Sequence, residues 1–171
     1  MKKLFVCALT LLLTLPVCTG AETTPDPTLT QARGQGDGYA IAYDATAFSF
    51  YLDGVAEGVD LLVPTQDAIS PVYLQISHLE NAQDAMDDLA GEGYADAGEI
   101  TLASGLRART FTLTRSGVDY ACYIVEGEGR AYSLLTVCSQ AAEEYAQKLR
   151  AVTDTFTLTQ TQTPQETAVA A

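Results

Sequence analysis

What this sequence of 171 residues lacks most clearly is positive charge. Lysine and arginine together number 9, against 22 aspartate and glutamate residues, and the formal net charge is −13. Such a surface repels phosphate groups and anionic lipids, so we expect no nucleic-acid partner and membrane contact only through a lipid anchor. Tryptophan is absent as well, which makes the chain a poor candidate for a carbohydrate platform.

The sequence is equally poor in the residues and motifs that carry chemistry. It has one histidine, His78, and no G-x-S-x-G, Walker or G-x-G-x-x-G motif. Two of the four cysteines lie in the first 20 residues, and the one histidine and two separated cysteines that remain do not supply four zinc ligands at the usual spacings. We therefore expect no cofactor and no metal. We interpret His78 as a structural, hydrogen-bonded histidine at a strand edge rather than a catalytic residue.

Carboxylates are abundant enough to keep an enzymatic alternative open. One group of acids lies in a loop with two glycines and another lies along a predicted helix, and neither has the EF-hand spacing. The first group is Asp53, Glu57 and Asp60, and the second is Asp84, Asp87, Asp88 and Glu92. Acids on a helix usually form a solvated face. A small secreted hydrolase, or a calcium-dependent enzyme that uses surface carboxylates, is therefore the alternative function.

The N-terminus has the pattern of a secretory signal peptide, assigned to residues 1–20. Lys2 and Lys3 precede an apolar stretch over 4–17, which is shorter than the ~20 residues that a membrane anchor needs. Cleavage after Gly20 or the next residue would leave small residues at the positions that the peptidase reads. The alternative is lipidation of Cys18, although the preceding Leu-Pro-Val resembles a lipobox only at its first position.

Composition divides the rest of the chain into three parts. Residues 21–38 are rich in Pro, Thr, Gly and Gln and cannot bury enough apolar surface to offset their ordering entropy, which predicts a disordered linker. Residues 160–171 are predicted to be a disordered tail. The remaining residues, 39–159, predict a single domain with one core.

Within this domain, short apolar runs with turn residues between them predict strands, and two runs of helical periodicity interrupt them. The helices are predicted after Asn81, up to Gly91, and after Ser139, with both residues serving as N-caps. The dipeptide Asp53-Gly54 is predicted to be a hairpin turn. The strands are predicted at 39–43, 48–52, 59–63, 72–79, 99–103, 106–114, 118–126, 131–137 and 156–158.

This order of elements predicts an α+β fold. Successive hairpins form an antiparallel β-sheet meander, and two main α-helices cover it. Helices on opposite faces of the sheet would make a three-layer α/β/α sandwich. We expect a monomer.

Cys122 and Cys138 form a candidate disulfide, since export permits one. The hairpin through Gly127-Glu128-Gly129 argues against the bond, because its register places Cys122 opposite Leu134 or Leu135. Cys138 then lies ~10–13 Å along the strand, whereas a disulfide needs Cα atoms within about 7 Å. A bulge or a chain reversal would be required, so both outcomes stay open.

Arg107 and Arg109 are the candidate ligand-binding residues. They are two positions apart on a predicted strand and therefore share a face, and Arg115 and Arg130 are predicted nearby. Together they would form a platform for an anionic ligand in an acidic protein. The alternative is cross-strand pairing with the many carboxylates.

Four stretches of the domain resemble the PsbP-like superfamily, which includes the extrinsic photosystem II protein, a Ran-binding nuclear import factor and many exported bacterial lipoproteins. They are the opening Tyr-Ala-Ile-Ala-Tyr-Asp at 39–44, the strand and helix of 72–91, the hairpin at 123–133 and the closing helix up to Phe156. The resemblance implies an antiparallel sheet between helices. It also implies a non-catalytic binding or assembly accessory. Together with the signal-peptide pattern, this predicts a module that meets an unknown protein or small ligand on the extracytoplasmic face of the cell envelope.

Overall fold

The computed structural model describes residues 29–33, 38–66 and 71–159. These residues form mostly antiparallel β-sheet with two helices, as expected of an α+β fold. The helices are α1 (Ala82–Gly91) and α2 (Glu143–Asp154). The strands are β1 (Leu29–Arg33), β2 (Tyr39–Asp44), β3 (Phe48–Ala56), β4 (Val59–Pro64), β5 (Val72–Leu79), β6 (Ala95–Thr101), β7 (Arg107–Arg115), β8 (Val118–Gly127), β9 (Arg130–Ser139) and β10 (Thr157–Leu158).

Seven strands form one sheet in the order β3-β4-β5-β9-β8-β7-β6, and every neighbouring pair is antiparallel. The predicted meander is confirmed for β6 to β9. Its tight turns at Ser116-Gly117 and Glu128-Gly129 have positive φ at both residues, the geometry that matches the twist of a hairpin. Strand β9 then lies between β8 and β5, in the middle of the sheet.

A second, three-stranded sheet has the order β1-β2-β10, and its first strand corrects a prediction. Leu29–Arg33 lie in the segment predicted to be a disordered linker, yet they pair with β2 in antiparallel register. The prediction was wrong for these residues because it counted only apolar burial. The open edge of β2 supplies backbone hydrogen bonds, which composition does not reveal. The rest of the linker, apart from Gly38, and the signal segment and tail lie outside the described residues.

Both predicted N-caps are present. The Asn81 side chain accepts hydrogen bonds from the amides of Gln83 and Asp84 at 2.9 and 3.4 Å. Ser139 accepts one from Ala141 at 3.3 Å. However, Ser139 begins a 3₁₀ turn over Gln140–Ala142, and the α-helix starts only at Glu143. A short 3₁₀ turn of this kind is common where a chain enters a helix.

Buried side chains form two apolar clusters. The larger one joins α2, through Leu149 and Val152, to β2 and to residues of the large sheet such as Leu74 and Leu134. The smaller cluster joins α1 to Phe111, Cys122 and Ile124. Neighbouring residues such as Tyr123 and Ile124 belong to different clusters, because successive side chains of a strand point to opposite faces.

The candidate disulfide is not formed. Cys122 pairs with Leu135 and Cys138 pairs with Asp119, so the two cysteines are three positions apart in register and lie on opposite faces of the sheet. Both are free and buried. The hairpin register predicted from the sequence was therefore right, and no bulge or chain reversal brings the thiols together. Burial raises the pKa of Cys122 to about 12, so this thiol is not an activated nucleophile.

Candidate functional site

Strand β3 is an edge strand of the large sheet, and its second half departs from regular pairing. Up to Tyr51 it pairs residue by residue with β4, and pairing resumes only where Ala56 lies opposite Val59. Between these points β3 contains extra residues, which form a bulge over 52–55. The predicted turn at Asp53-Gly54 is therefore wrong. The chain continues as a strand, and the hairpin turn lies at Glu57 and Gly58, where Gly58 has a φ of 76°.

A buried carboxyl group holds this bulge in place. Asp60 is 4% exposed, and its Oδ1 accepts a hydrogen bond from the amide of Asp53 at 3.0 Å. Its Oδ2 accepts a hydrogen bond from the Tyr39 hydroxyl. Burial, followed by this hydrogen bond, raises the pKa of Tyr39 well above its ordinary value of 10.0. The hydroxyl consequently stays protonated and continues to donate to Asp60.

The same bulge requires a glycine. A Cβ atom on Gly54 would lie 2.8 Å from the Cβ of Leu61 and 3.1 Å from that of Tyr51, closer than side chains tolerate. Gly54 therefore lets the bulged backbone approach β4. The bulge is a packed structure that is held by specific contacts.

Three large apolar side chains of this strand face solvent. Tyr51 is 53% exposed, Leu52 51% and Val55 63%, and we call this group the β3 surface. The segment 47–66, which contains the whole β3–β4 hairpin, has no lysine or arginine. Asp53 and Glu57 lie among these residues in the chain, and the Asp53 carboxylate accepts a hydrogen bond from the amide of Gly58 at 2.7 Å. Exposed apolar groups on a sheet edge commonly mark an interaction site.

The sequence did not indicate this site. Asp60 was predicted as one of three loop carboxylates at the start of the strand 59–63. Tyr51 and Leu52 were predicted to end the strand 48–52, and Val55 was predicted to follow a turn. No local signal distinguished the bulge from a turn, because Asp53-Gly54 is followed directly by a valine just as the true hairpin turn Ser116-Gly117 is.

Arg107 and Arg109 lie on β7 with their side chains on one face, as predicted, but each contacts a carboxylate of β6. Arg107 is 3.4 Å from Glu99, with an arginine side chain that is 75% exposed, and Arg109 pairs with Asp96. The pair with Arg109 lowers the pKa of Asp96. This is the cross-strand arrangement that the sequence offered as the alternative to an anion platform.

The other two arginines of the predicted platform have different roles. Arg115 donates to the carbonyl of Glu92 at 3.3 Å. Arg130 donates to the carbonyls of Gly38 at 2.9 Å and Thr159 at 2.8 Å, and it also pairs with Glu128. The structure therefore does not gather the four guanidinium groups around one ligand position.

His78 lies near the end of β5, which is an inner strand of the sheet and not an edge. Its side chain is exposed, and its ring meets the ring of Tyr132 edge-on at 5.3 Å. It borders a polar hollow of about 450 Å³ together with Glu80, Glu126 and Arg130. No hydroxyl or thiol nucleophile lines this hollow among the described residues.

The carboxylates of the predicted alternative lie apart. Asp84, Asp87 and Asp88 are exposed on α1, whereas Asp60 is buried beneath the bulge. Within the described ranges no group of three or more His, Cys, Asp or Glu side chains is placed to hold a metal ion. In the same part of the chain, no helix has the length and apolar character needed to cross a membrane.

Comparison with known proteins bears on the fold. No protein-family model and no curated protein matches the chain. The solution structure of cyanobacterial PsbP (CyanoP) from Synechocystis sp. PCC 6803 matches with a TM-score of 0.53 and 13% sequence identity, covering 80% of this chain and 95% of that one. The fold is PsbP-like.

A crystal structure of a protein from Bacteroides thetaiotaomicron VPI-5482 matches with a TM-score of 0.57, also at 13% identity. The match covers 78% of this chain but 49% of that protein, so this chain corresponds to about half of the longer one. At this level of identity both likenesses concern the fold alone. They support the PsbP-like architecture predicted from the order of strands and helices.

Proposed function

We propose that this chain is a non-catalytic binding and assembly accessory module that docks a protein partner on the β3 surface. The observation that carries the proposal is the exposure of Tyr51, Leu52 and Val55 on an edge strand. Because Asp60 and Gly54 hold the bulge beneath them, these side chains are presented without a large ordering cost on binding. Similar accessory roles among proteins of PsbP-like fold support the proposal by analogy only.

The partner is a protein segment with an apolar face bordered by lysine or arginine. Asp53 and Glu57 lie among the apolar residues in the chain, the hairpin has no positive residue, and the net charge of the chain is −13. Opposite charge at the margin of an apolar contact accelerates association and selects among partners. Among the described residues, the outer edge of β3 over 48–51 pairs with no other strand and offers backbone hydrogen bonds to an extended segment.

The test starts from a photo-crosslinking amino acid placed at Val55, with the exposed helix position Ala90 as the matched control. A partner that is captured from Val55 and not from Ala90 is identified, purified and titrated. Val55→Asp should weaken its binding by at least about tenfold, as expected for a buried contact of this size. Ala90→Asp should leave the affinity unchanged, and added salt should weaken binding to the wild type.

Three results would refute the docking proposal. They are equal affinity of Val55→Asp and wild type, equal capture from Val55 and Ala90, and capture only of a second copy of this chain.

We also propose that the protein is exported and works on the extracytoplasmic face of the cell envelope. The support is the signal-peptide pattern of residues 1–20, with Cys18 as the alternative lipidation site. The mass of the mature protein recovered from the envelope distinguishes the two cleavage patterns. Labelling with palmitate that depends on Cys18 supports the anchor, and an unlabelled protein that lacks residues 1–20 refutes it.

For the architecture we propose the three-layer α/β/α sandwich with the seven-stranded sheet in the middle. The support is the division of the buried residues into two clusters, one with α1 and one with α2.

A further inference from the structure

A groove runs between α2 and the neighbouring strands β7 and β8. In the seven-stranded sheet, three strands separate β8 from β3. Its volume is about 430 Å³, within the range that small-molecule sites usually have. It shares Asp119, Cys138 and Ala146 with an adjoining hollow of about 300 Å³ that Gln140 and Glu143 also line. We call the two together the α2 groove.

Several of the side chains on both walls of the groove are small. The strands contribute Thr112, Thr114 and Ala121, and the helix contributes Ala146. The larger apolar residues of α2, such as Val152, belong to the main core. A helix that presents alanine to threonine and alanine cannot fill the space above the strands, so a concave surface with apolar walls remains.

The charges of the groove are unequal at its two ends. Arg150 lies over the ring of Tyr123, 5.0 Å from its centroid, and pairs with Asp154 at 3.1 Å. The positive charge at this end is thus already balanced by a carboxylate. A ligand carboxylate would have to compete with Asp154 for the guanidinium.

The other end is acidic. Asp119 accepts hydrogen bonds from the Thr114 hydroxyl at 2.7 Å and from the Gln140 amide at 3.1 Å. Both donors are neutral, so they orient the carboxylate without cancelling its charge. Glu143 is exposed beside it. An oriented carboxylate with a second acid nearby favours a cationic group.

We propose that the α2 groove binds a small organic amine. The apolar body of the amine lies against Ala121 and Ala146, and its ammonium group meets Asp119 and Glu143. The apolar walls favour an organic cation over a metal ion, which would require several oxygen ligands around one point. This site is separate from the β3 surface, so the inference does not depend on the proposed function.

Phenethylamine is a suitable probe, because 2-phenylethanol and 3-phenylpropionate offer a similar body with a neutral or a negative end. Each is titrated into the ¹⁵N-labelled protein while backbone amide shifts are followed. The amine should give saturable shifts at groove residues. The alcohol should bind several-fold more weakly, and the carboxylate should show no saturable binding.

Two variants test the site, and each has a matched control on α1. Asp119→Asn should weaken binding of phenethylamine by about three- to tenfold, whereas Asp87→Asn should not change it. Ala146→Leu should abolish binding by filling the groove, whereas Ala90→Leu should not. Both altered groove positions are exposed, and circular dichroism verifies that each variant is folded.

The proposal is overturned if the wild type does not bind phenethylamine, or if the neutral and anionic probes bind as tightly. It is equally overturned if the shifts map to another surface, or if Asp119→Asn and Ala146→Leu both bind like the wild type.

Discussion

Tyr39 and Asp60 link the small sheet to the β3 bulge through one hydrogen bond between buried groups. The contact joins residues 21 positions apart. Removing the donor would leave a buried carboxyl group with fewer partners, which costs more than an ordinary hydrogen bond contributes. At the residue scale, the buried hydrogen bond between Tyr39 and Asp60 therefore stabilises the bulge that carries the β3 surface.

We predict that Tyr39→Phe lowers the free energy of unfolding at neutral pH by about 1–3 kcal/mol. The aromatic contacts of the ring with Tyr132 and Phe156, at 5.5 and 5.3 Å, are kept by phenylalanine. Urea denaturation measures the change. Tyr43→Phe, on the same strand, is the control, and an equal loss in both variants would contradict the assigned role of Tyr39.

The same residue predicts a pH dependence. Folding raises the pKa of Tyr39 above its unfolded value of 10.0, so the folded state favours the protonated hydroxyl. This contribution to stability is fully present below about pH 10 and is lost as the pH rises beyond it. Wild-type stability should therefore fall more steeply above pH 10 than that of Tyr39→Phe. Parallel curves from denaturation at increasing pH would refute this prediction.

The two buried thiols give a prediction of their own. Burial raises the pKa of both Cys122 and Cys138, which lowers the thiolate fraction available to an alkylating reagent. In the folded protein, iodoacetamide near neutral pH should leave both unmodified, and in denaturant it should modify both. Peptide mapping by mass spectrometry measures this. A disulfide-linked peptide of the two would contradict the opposed faces seen in β8 and β9.

At the scale of the elements, the bulge of β3 depends on close backbone approach. Gly54→Ala should destabilise the protein by about 1–3 kcal/mol, because the added Cβ atom overlaps Leu61. Gly91→Ala is the matched control: its Cβ would meet no atom within 4 Å, and alanine is favoured in a helix by up to about 1 kcal/mol. Thermal unfolding of both variants measures the difference, and equal effects would argue against the bulge.

The secondary-structure elements also show which features the sequence pattern predicts correctly. Strand β5 and helix α1 were predicted with nearly the observed bounds, because regular alternation and a side-chain cap are local signals. Strand β1 and the bulge were missed, because each depends on contacts with a neighbouring strand, and the composition of the segment itself does not reveal those contacts. The edge of β2 supports β1, and Asp60 holds Asp53 in a strand where the dipeptide alone favours a turn.

For the whole molecule, Arg130 ties the two ends of the described domain together. Its donors reach the carbonyls of Gly38 and Thr159, 92 and 29 residues away along the chain. A lysine at this position has no planar guanidinium group and cannot donate to both carbonyls in the same geometry. Arg130→Lys should therefore destabilise the protein by about 1–3 kcal/mol. Arg107→Lys, at an exposed surface pair, should have no measurable effect. Equal stability of the two variants in urea would show that the hydrogen bonds from Arg130 to Gly38 and Thr159 do not stabilise the fold.

The sequence by itself determined the properties that depend on composition and on short-range pattern. These are the acidic charge, the strand and helix order, the antiparallel meander and the hairpin register that separates Cys122 from Cys138. Only the tertiary structure decided which groups meet. It paired Arg107 and Arg109 with carboxylates, brought Asp60 beneath β3 and left Tyr51, Leu52 and Val55 exposed. The shortage of positive charge extends over residues 34–106, which contain no lysine or arginine and include the β3–β4 hairpin. The physical reason is that a contact between side chains on different strands depends on strand register and sheet order, and neither property is encoded in a local run of residues.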